Sequence, residues 1–274
     1  MDQNEKPPII EPVAPPEPPK PPTFSEKLKK NLGPVGVVLF LIIKFAAKLK
    51  FALPFLKTGL TMILSIGAYA LMWPWQFAVG FVLLIFVHEC GHLIAARQCG
   101  LKVGAPVFIP FMGAIIALKD APPNARIEAE VGIGGPLLGA LGAAVCEIIF
   151  LATGNPLYRA LAYLGFFLNL FNLAPVGFLD GGRIVTALSP WLWIVGFLIM
   201  LVLTITHFNF ILLLILVMSL PRLFSLFREK TEEEKRYFEV TPTQRFFVAL
   251  AYFGLIAFLV FGMKLTHIEP STLR

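Results

Sequence analysis

Apolar residues form long uninterrupted runs along this chain, and polar residues cluster at the ends of the runs and in a few connections. Seven runs predict helices that cross a bilayer, since a span needs about 20 predominantly apolar residues. They lie at roughly 58–75, 76–97, 129–152, 157–178, 190–206, 208–226 and 245–263. The pattern predicts an all-α polytopic membrane protein with about six to seven transmembrane helices.

The connection between the second and third predicted spans has a different pattern. Gly and Pro interrupt β-branched and aromatic residues there, so the stretch is too short to span and too broken for one helix. It predicts a short membrane-associated β-hairpin around Val107–Leu118. Because open backbone edges do not persist in lipid, we expect the hairpin to be buried in protein or to line a wet cavity.

The remaining segments flank this 58–226 core. Residues 1–22 contain nine prolines and predict a disordered cytosolic tail, either a spacer or a Pro-rich partner-binding segment. Residues 23–57 are rich in lysine and predict an amphipathic helix or helix pair on the cytosolic face; a re-entrant or tilted span starting at Gly33 is the competing interpretation. Residues 227–244 predict a charged cytosolic loop, and 245–274 predict a final span and tail.

Composition and charge narrow the class of protein. The chain is 57% hydrophobic and only 15% charged, against about a quarter charged in soluble domains. This excludes a soluble enzyme, a disordered scaffold and a secreted disulfide mini-protein. The net charge of +6 comes from lysines and arginines that flank the apolar runs, so we expect a cytosolic N-terminus and no nucleic-acid partner. The three cysteines form no paired framework.

The second predicted span contains an H-E-x-x-H motif, His88 to His92. Spacing of i and i+4 places both imidazoles on one helical face, where both can ligate one Zn²⁺, and Glu89 lies close enough to take a proton from water. Only four histidines exist in the chain, and ionisable groups are costly inside an apolar helix. The alternative interpretation is a polar helix-packing patch.

A catalytic zinc usually has a third protein ligand, which Asp180 can supply. It follows the fourth predicted span, in the sequence Asn172-Leu-Ala-Pro-Val-Gly-Phe-Leu-Asp180-Gly-Gly. Read alone, this is an ordinary Asp-Gly turn. His88 lies nine residues from Arg97, or roughly 13 Å below the cytosolic edge, and Asp180 enters from the same side. The two motifs can therefore meet.

These two motifs together resemble the site-2 protease family of intramembrane zinc metalloproteases. The resemblance covers roughly 76–185 and includes the Gly- and Pro-rich segment 132–139, where many relatives carry Asn at the place of Gly139. It implies one Zn²⁺ per chain bound by His88, His92 and Asp180, with Glu89 as general base and Asn172 near the scissile carbonyl. No PDZ domain lies between the motifs, and no nucleotide-binding CBS domain follows residue 226 in this sequence.

A helical substrate must unwind before cleavage, because its carbonyls are engaged in backbone hydrogen bonds. An edge of the predicted hairpin, around Ile115 and Ile116, could hold the unwound segment by strand addition. We therefore expect a zinc endopeptidase acting near the cytosolic face on transmembrane proteins or peptides, in a prokaryotic inner membrane. The alternatives are a catalytically silent, partner-binding protein of this fold and a metal or ion transporter. The sequence leaves the oligomeric state open.

Overall fold

A computed structural model describes residues 23–116 and 120–267 of the chain. Within these ranges the protein is mostly helical, with one two-stranded sheet, which confirms the predicted fold class at this level. The Pro-rich tail at 1–22 lies outside the described residues, so its predicted disorder stays a prediction. The helices are α1 (Phe24–Ala70), α2 (Trp75–Gln98), α3 (Ala125–Thr153), α4 (Pro156–Asn172), α5 (Asp180–Leu188), α6 (Leu192–Thr206), α7 (Phe210–Phe224), α8 (Glu232–Tyr237) and α9 (Pro242–Thr266).

Helix α1 differs from the sequence prediction in its length. A basic segment ending at residue 57 and a span beginning at 58 were expected, but α1 runs without interruption through both. Lysine does not stop a helix, since it is a good helix former, and the change in polarity at 57 therefore marks no helix end. A short turn separates α1 from α2, and the Trp73 ring in it stacks on Tyr69 with centroids 5.5 Å apart.

Local signals define the ends of the central helices. The side chain of Asn124 caps α3 by accepting a hydrogen bond from the amide of Ile127, and Gly154 ends the helix in the left-handed conformation at φ 68°. Asn155 then caps α4, and Pro156 occupies its first turn. The connection between α3 and α4 is therefore very short, and it makes the two helices antiparallel neighbours.

The predicted β-hairpin is present, between α2 and α3. Strand β1 (Val107–Ile109) pairs antiparallel with β2 (Gly113–Ile115), and Phe108 lies opposite Ala114. The predicted range extended to Leu118, which lies outside the described residues. Phe108 is buried and lies against Phe86 of α2, so the hairpin packs on the helix that carries the H-E-x-x-H motif.

Three helices in the described part of the chain are long and apolar enough to cross a membrane, namely α2, α3 and α9. Helices α6 and α7 are apolar but have only 15 residues each, or about 22 Å at the helical rise. Helix α4 has 17 residues. Because the hydrocarbon core is about 30 Å thick, the predicted count of six to seven spans is not confirmed and stays a prediction.

Helices α2, α3 and α4 pack side by side within the unit Leu53–Arg274, and α5 and α9 pack against α3. The approach between α2 and α3 is very close: a Cβ added to Gly91 would lie 2.1 Å from the carbonyl oxygen of Gly134. Small residues thus let the two backbones meet, as the sequence of the 132–139 segment predicts. This contact brings the motif on α2 against the start of α3.

Candidate metal centre

Three buried side chains from two helices converge on one point. The Nε2 atoms of His88 and His92 on α2 are 3.0 Å apart, and they lie 3.2 and 3.1 Å from Oδ2 of Asp180 on α5. Each residue is 5–7% exposed. The structure therefore brings together the three ligands that the sequence predicts.

The chain around Asp180 is shaped by glycines. Gly177 adopts φ +49°, which turns the chain after the end of α4. A Cβ at Gly181 would lie 2.0 Å from the carbonyl oxygen of Leu173, and one at Gly182 would lie 2.6 Å from that of Gly177. The loop from 173 to 179 therefore wraps closely around the first turn of α5, and Asp180 stands in that turn facing α2.

The opposite ring nitrogens of the two histidines have oxygen partners. His92 Nδ1 lies 2.8 Å from the carbonyl oxygen of Val131, which can only accept a hydrogen bond. His88 Nδ1 lies 2.8 Å from Oδ1 of Asn169 on α4. With a proton on each Nδ1, both Nε2 atoms present a lone pair toward Asp180.

Glu89 is buried beside this group, with 7% of its surface exposed. It follows His88 directly on α2 and interacts electrostatically with His92, Asp180 and Arg183. Arg183 lies near the cluster, its Nη1 3.9 Å from Oδ1 of Asp180. A second carboxylate is thus present next to the ligands, without being one of the three converging groups.

A network of ionic and hydrogen-bonded side chains supports α5 on neighbouring helices. Arg222 of α7 donates to Glu128 of α3 at 2.5 Å and to the carbonyl oxygen of Gly182 at 3.1 Å. Trp193 donates to the same carbonyl at 2.9 Å, and Tyr237 of α8 donates to Glu128 at 2.7 Å. Burial and the Glu128 carboxylate raise the pKa of Tyr237 above its usual range, so the phenol keeps its proton. The network holds the helix that presents Asp180.

The donor set fits a zinc ion. Two imidazole nitrogens and a carboxylate oxygen are ordinary ligands of catalytic zinc, which leaves a fourth position open. Tetrahedral bonds of about 2.05 Å place ligand atoms roughly 3.3 Å apart, and the observed separations are 3.0–3.2 Å. A Cβ at Gly135 would lie 2.2 Å from His92 Nε2, so this glycine keeps the approach to that nitrogen clear. No cysteine belongs to the cluster, and all three cysteines are free.

Comparisons with known proteins point to one family. The profile of peptidase family M50 matches residues 76–155. A zinc metalloprotease of Methanocaldococcus jannaschii is 33% identical over 130 residues, which cover 46% of this chain and 37% of that protein. A probable chloroplastic zinc metalloprotease of Arabidopsis thaliana is 30% identical over 154 residues, covering 40% and 27% of the two chains.

The family that this chain resembles is peptidase family M50. The resemblance to the site-2 proteases is thereby confirmed, and the matched segment contains the motif on α2 and the start of α3. The chain spans about a third of the length of the relatives just named. A solved site-2 protease from M. jannaschii is 25% identical, with 67% of this chain and 89% of that chain covered, but its TM-score of 0.40 carries no inference about the fold.

The structure does not bring every predicted site residue to His88, His92 and Asp180. The amide nitrogen of Asn172 donates to the carbonyl oxygen of Leu168 at 3.0 Å, within its own helix. Ile115 is 55% exposed at the end of β2, and Ile116 is half-buried just after it. The predicted roles of these three residues in substrate binding, and of Asn172 in catalysis, stay predictions.

Sequence reasoning missed Asn169 of α4. Its side chain is 1% exposed and contacts His88, a predicted zinc ligand. A signal was available, since a polar residue inside an apolar helix is costly and marks a functional position by default. The motif that carries the family resemblance includes Asn172, three residues further along, and does not include Asn169.

Proposed function

We propose that this protein is a zinc-dependent intramembrane endopeptidase. It hydrolyses peptide bonds of membrane-embedded substrates near the cytosolic face, in regulated intramembrane proteolysis or in the clearance of membrane proteins and signal peptides. The observation that carries the proposal is the convergence of His88, His92 and Asp180 on one point, with Glu89 buried beside them. The M50 match and the zinc metalloprotease relatives support the same function.

Each residue of the site has a separate role in the proposed peptide hydrolysis. Zinc held by the two histidines and Asp180 supplies a Lewis acid for a water molecule and a peptide carbonyl. Glu89 accepts the proton of the attacking water and later delivers it to the leaving amine nitrogen. The amide of Asn172 donates to the oxygen that gains negative charge, once a substrate draws it from its bond to Leu168.

The position of the site along α2 supports cleavage near one membrane surface. His88 lies nine residues before Arg97, or roughly 13 Å along the helix, and Arg97 stands in the last turn of α2. The positive-inside rule places this end of α2 in the cytosol, together with the N-terminus. We further propose a prokaryotic inner membrane as the location of the protein and a transmembrane protein or peptide as its substrate.

One edge of the hairpin is already covered by α1. The hydroxyl of Thr58 donates to the carbonyl oxygen of Pro106 at 2.7 Å, and the amide of Phe108 donates to the hydroxyl of Thr61 at 3.2 Å. Threonine side chains therefore bond the outward amide of Phe108 in β1 and the carbonyl oxygen of Pro106 just before the strand. The edge of β2 is the one that remains for an added strand.

The register identifies the groups on that open edge. Because the amide of Phe108 points away from β2, the pair Phe108–Ala114 is a non-hydrogen-bonded pair, and the backbone of Ala114 points away from β1. Alternation gives Ile116 the same direction as Ala114, whereas the amide of Ile115 faces β1. An unwound substrate segment therefore pairs with Ala114 and Ile116, beside the exposed side chain of Ile115.

The test compares wild type with Glu89→Gln, using a single-span substrate in detergent or vesicles. We expect the variant to bind one zinc per chain and to lose cleavage by at least about 100-fold, the usual contribution of a general base. Equal cleavage by both proteins would reject the proposal. A wild-type protein that binds zinc without cleaving any substrate would favour a silent partner-binding protein, and zinc flux into sealed vesicles would favour a transporter.

A further inference from the structure

A buried amide on α4 contacts the metal-binding face of α2 from the side opposite to Asp180. Asn169 is 1% exposed, and its Oδ1 lies 2.8 Å from Nδ1 of His88. A polar side chain this deep in a helical bundle has a cost that its hydrogen bonds must offset. Its contacts therefore indicate what it does.

The orientation of this amide is fixed by its second contact. The Nδ2 atom of Asn169 donates to the carbonyl oxygen of Gly165 at 2.7 Å, and a backbone carbonyl can only accept. Oδ1 must then face His88 as an acceptor. An acceptor at Nδ1 requires the proton to be on that nitrogen, which leaves Nε2 of His88 unprotonated and directed at Asp180.

Room for this amide is made by the facing helix. A Cβ added to Gly139 of α3 would lie 2.2 Å from Oδ1 of Asn169, so a side chain at 139 and this amide position exclude one another. The gap left by a small residue on α3 is filled by a polar side chain from α4. A purely packing role does not account for an oxygen aimed at a ligand histidine, since an apolar residue of similar size would fill the same gap without the cost of burying an amide.

We propose that Asn169 is the positioning residue of His88: it holds the ring with the proton on Nδ1 and the metal-binding lone pair on Nε2. The carbonyl oxygen of Val131 performs the same task for His92. The two ligand histidines thus have different acceptors, a side chain for one and a backbone carbonyl for the other. Only the first can be removed by substitution, and this inference rests on the zinc site of the proposed function.

The test measures zinc affinity of the purified full chain by competition with a chelator. Asn169→Leu removes the acceptor at similar volume, and we expect it to weaken zinc binding by about 10–100-fold, the usual cost of losing a partner of a ligand histidine. Asn169→Asp keeps an oxygen acceptor and should recover most of that loss. The control is Thr204→Val, which removes a buried hydroxyl that donates to the carbonyl oxygen of Met200 in its own helix.

The outcomes separate this inference from the proposed function. Wild-type protein that binds no zinc rejects both. If wild type binds zinc but the Leu variant binds it equally well, or if the Leu and Asp variants lose the same affinity, only the role of Asn169 is rejected. Should Asn169→Leu fail to fold, the ¹⁵N resonances of the histidine rings in zinc-loaded wild type provide the test. The inference requires a protonated Nδ1 on His88. Zinc bound through that Nδ1 would overturn it.

Discussion

At the scale of single residues, spacing along one helix is readable from sequence, whereas contacts between helices are not. His88 and His92 had to share a face of α2, and their Nε2 atoms do lie 3.0 Å apart. Asp180 was expected because a zinc site needs a further ligand, and in the structure its carboxylate lies 3.2 Å from Nε2 of His88. Asn169 could not be assigned in the same way, because its role depends on Gly139 of another helix, 30 positions earlier.

The room around the ligand nitrogens gives a prediction at this scale. We expect Gly135→Ala to weaken zinc binding, by about 10-fold or more as for other changes next to a ligand, because its Cβ would overlap Nε2 of His92. Chelator competition measures the effect. Gly254→Ala is the control, since a Cβ there meets nothing within 4 Å. Unchanged zinc affinity in the Gly135 variant would mean that the His92 ring moves freely away from α3. Zinc binding would then not require the close approach of Gly135 to Nε2 of His92.

At the scale of elements, the hairpin shows what a sequence pattern leaves open. Gly and Pro between β-branched residues predict its existence and its place between α2 and α3, and both are confirmed. Which edge is covered depends on Thr58 and Thr61, which come from α1, far from the hairpin in sequence. Similarly, the polarity change at residue 57 gave no sign that α1 continues through it.

Proline substitution tests the open edge of β2. Ile116→Pro removes an amide that points away from β1, so we expect the hairpin and zinc content to be preserved while cleavage of a transmembrane substrate falls several-fold. Ile116→Ala keeps the amide and should cleave more nearly like wild type. The measurement is the initial rate of product formation beside zinc per chain. Full activity of the proline variant would show that the substrate does not pair with this edge of β2.

Ile115→Pro has a different expected result. Its amide faces β1 in the register seen here, so this proline breaks a bond of the hairpin itself, and both the hairpin and cleavage should suffer.

At the scale of the whole molecule, composition and apolar runs correctly indicate a mostly helical protein with helices able to cross a membrane. The number of spans is harder to derive, because apolar runs do not show where helices end. Asn209 caps α7 and His207 ends α6 inside an apolar stretch, which leaves two helices of 15 residues. Burial within a protein and contact with lipid select similar residues, so hydropathy alone does not separate them.

The central claim is that one zinc ion is bound by two imidazoles and one carboxylate contributed by two helices distant in sequence. X-ray absorption at the zinc edge tests it most directly, with metal analysis of wild type and Asp180→Ala. We expect one zinc per wild-type chain, a first shell of nitrogen and oxygen at about 2.0–2.2 Å without sulfur, and greatly reduced zinc in the variant. A sulfur ligand at about 2.3 Å, or full zinc occupancy after loss of Asp180, would contradict the account.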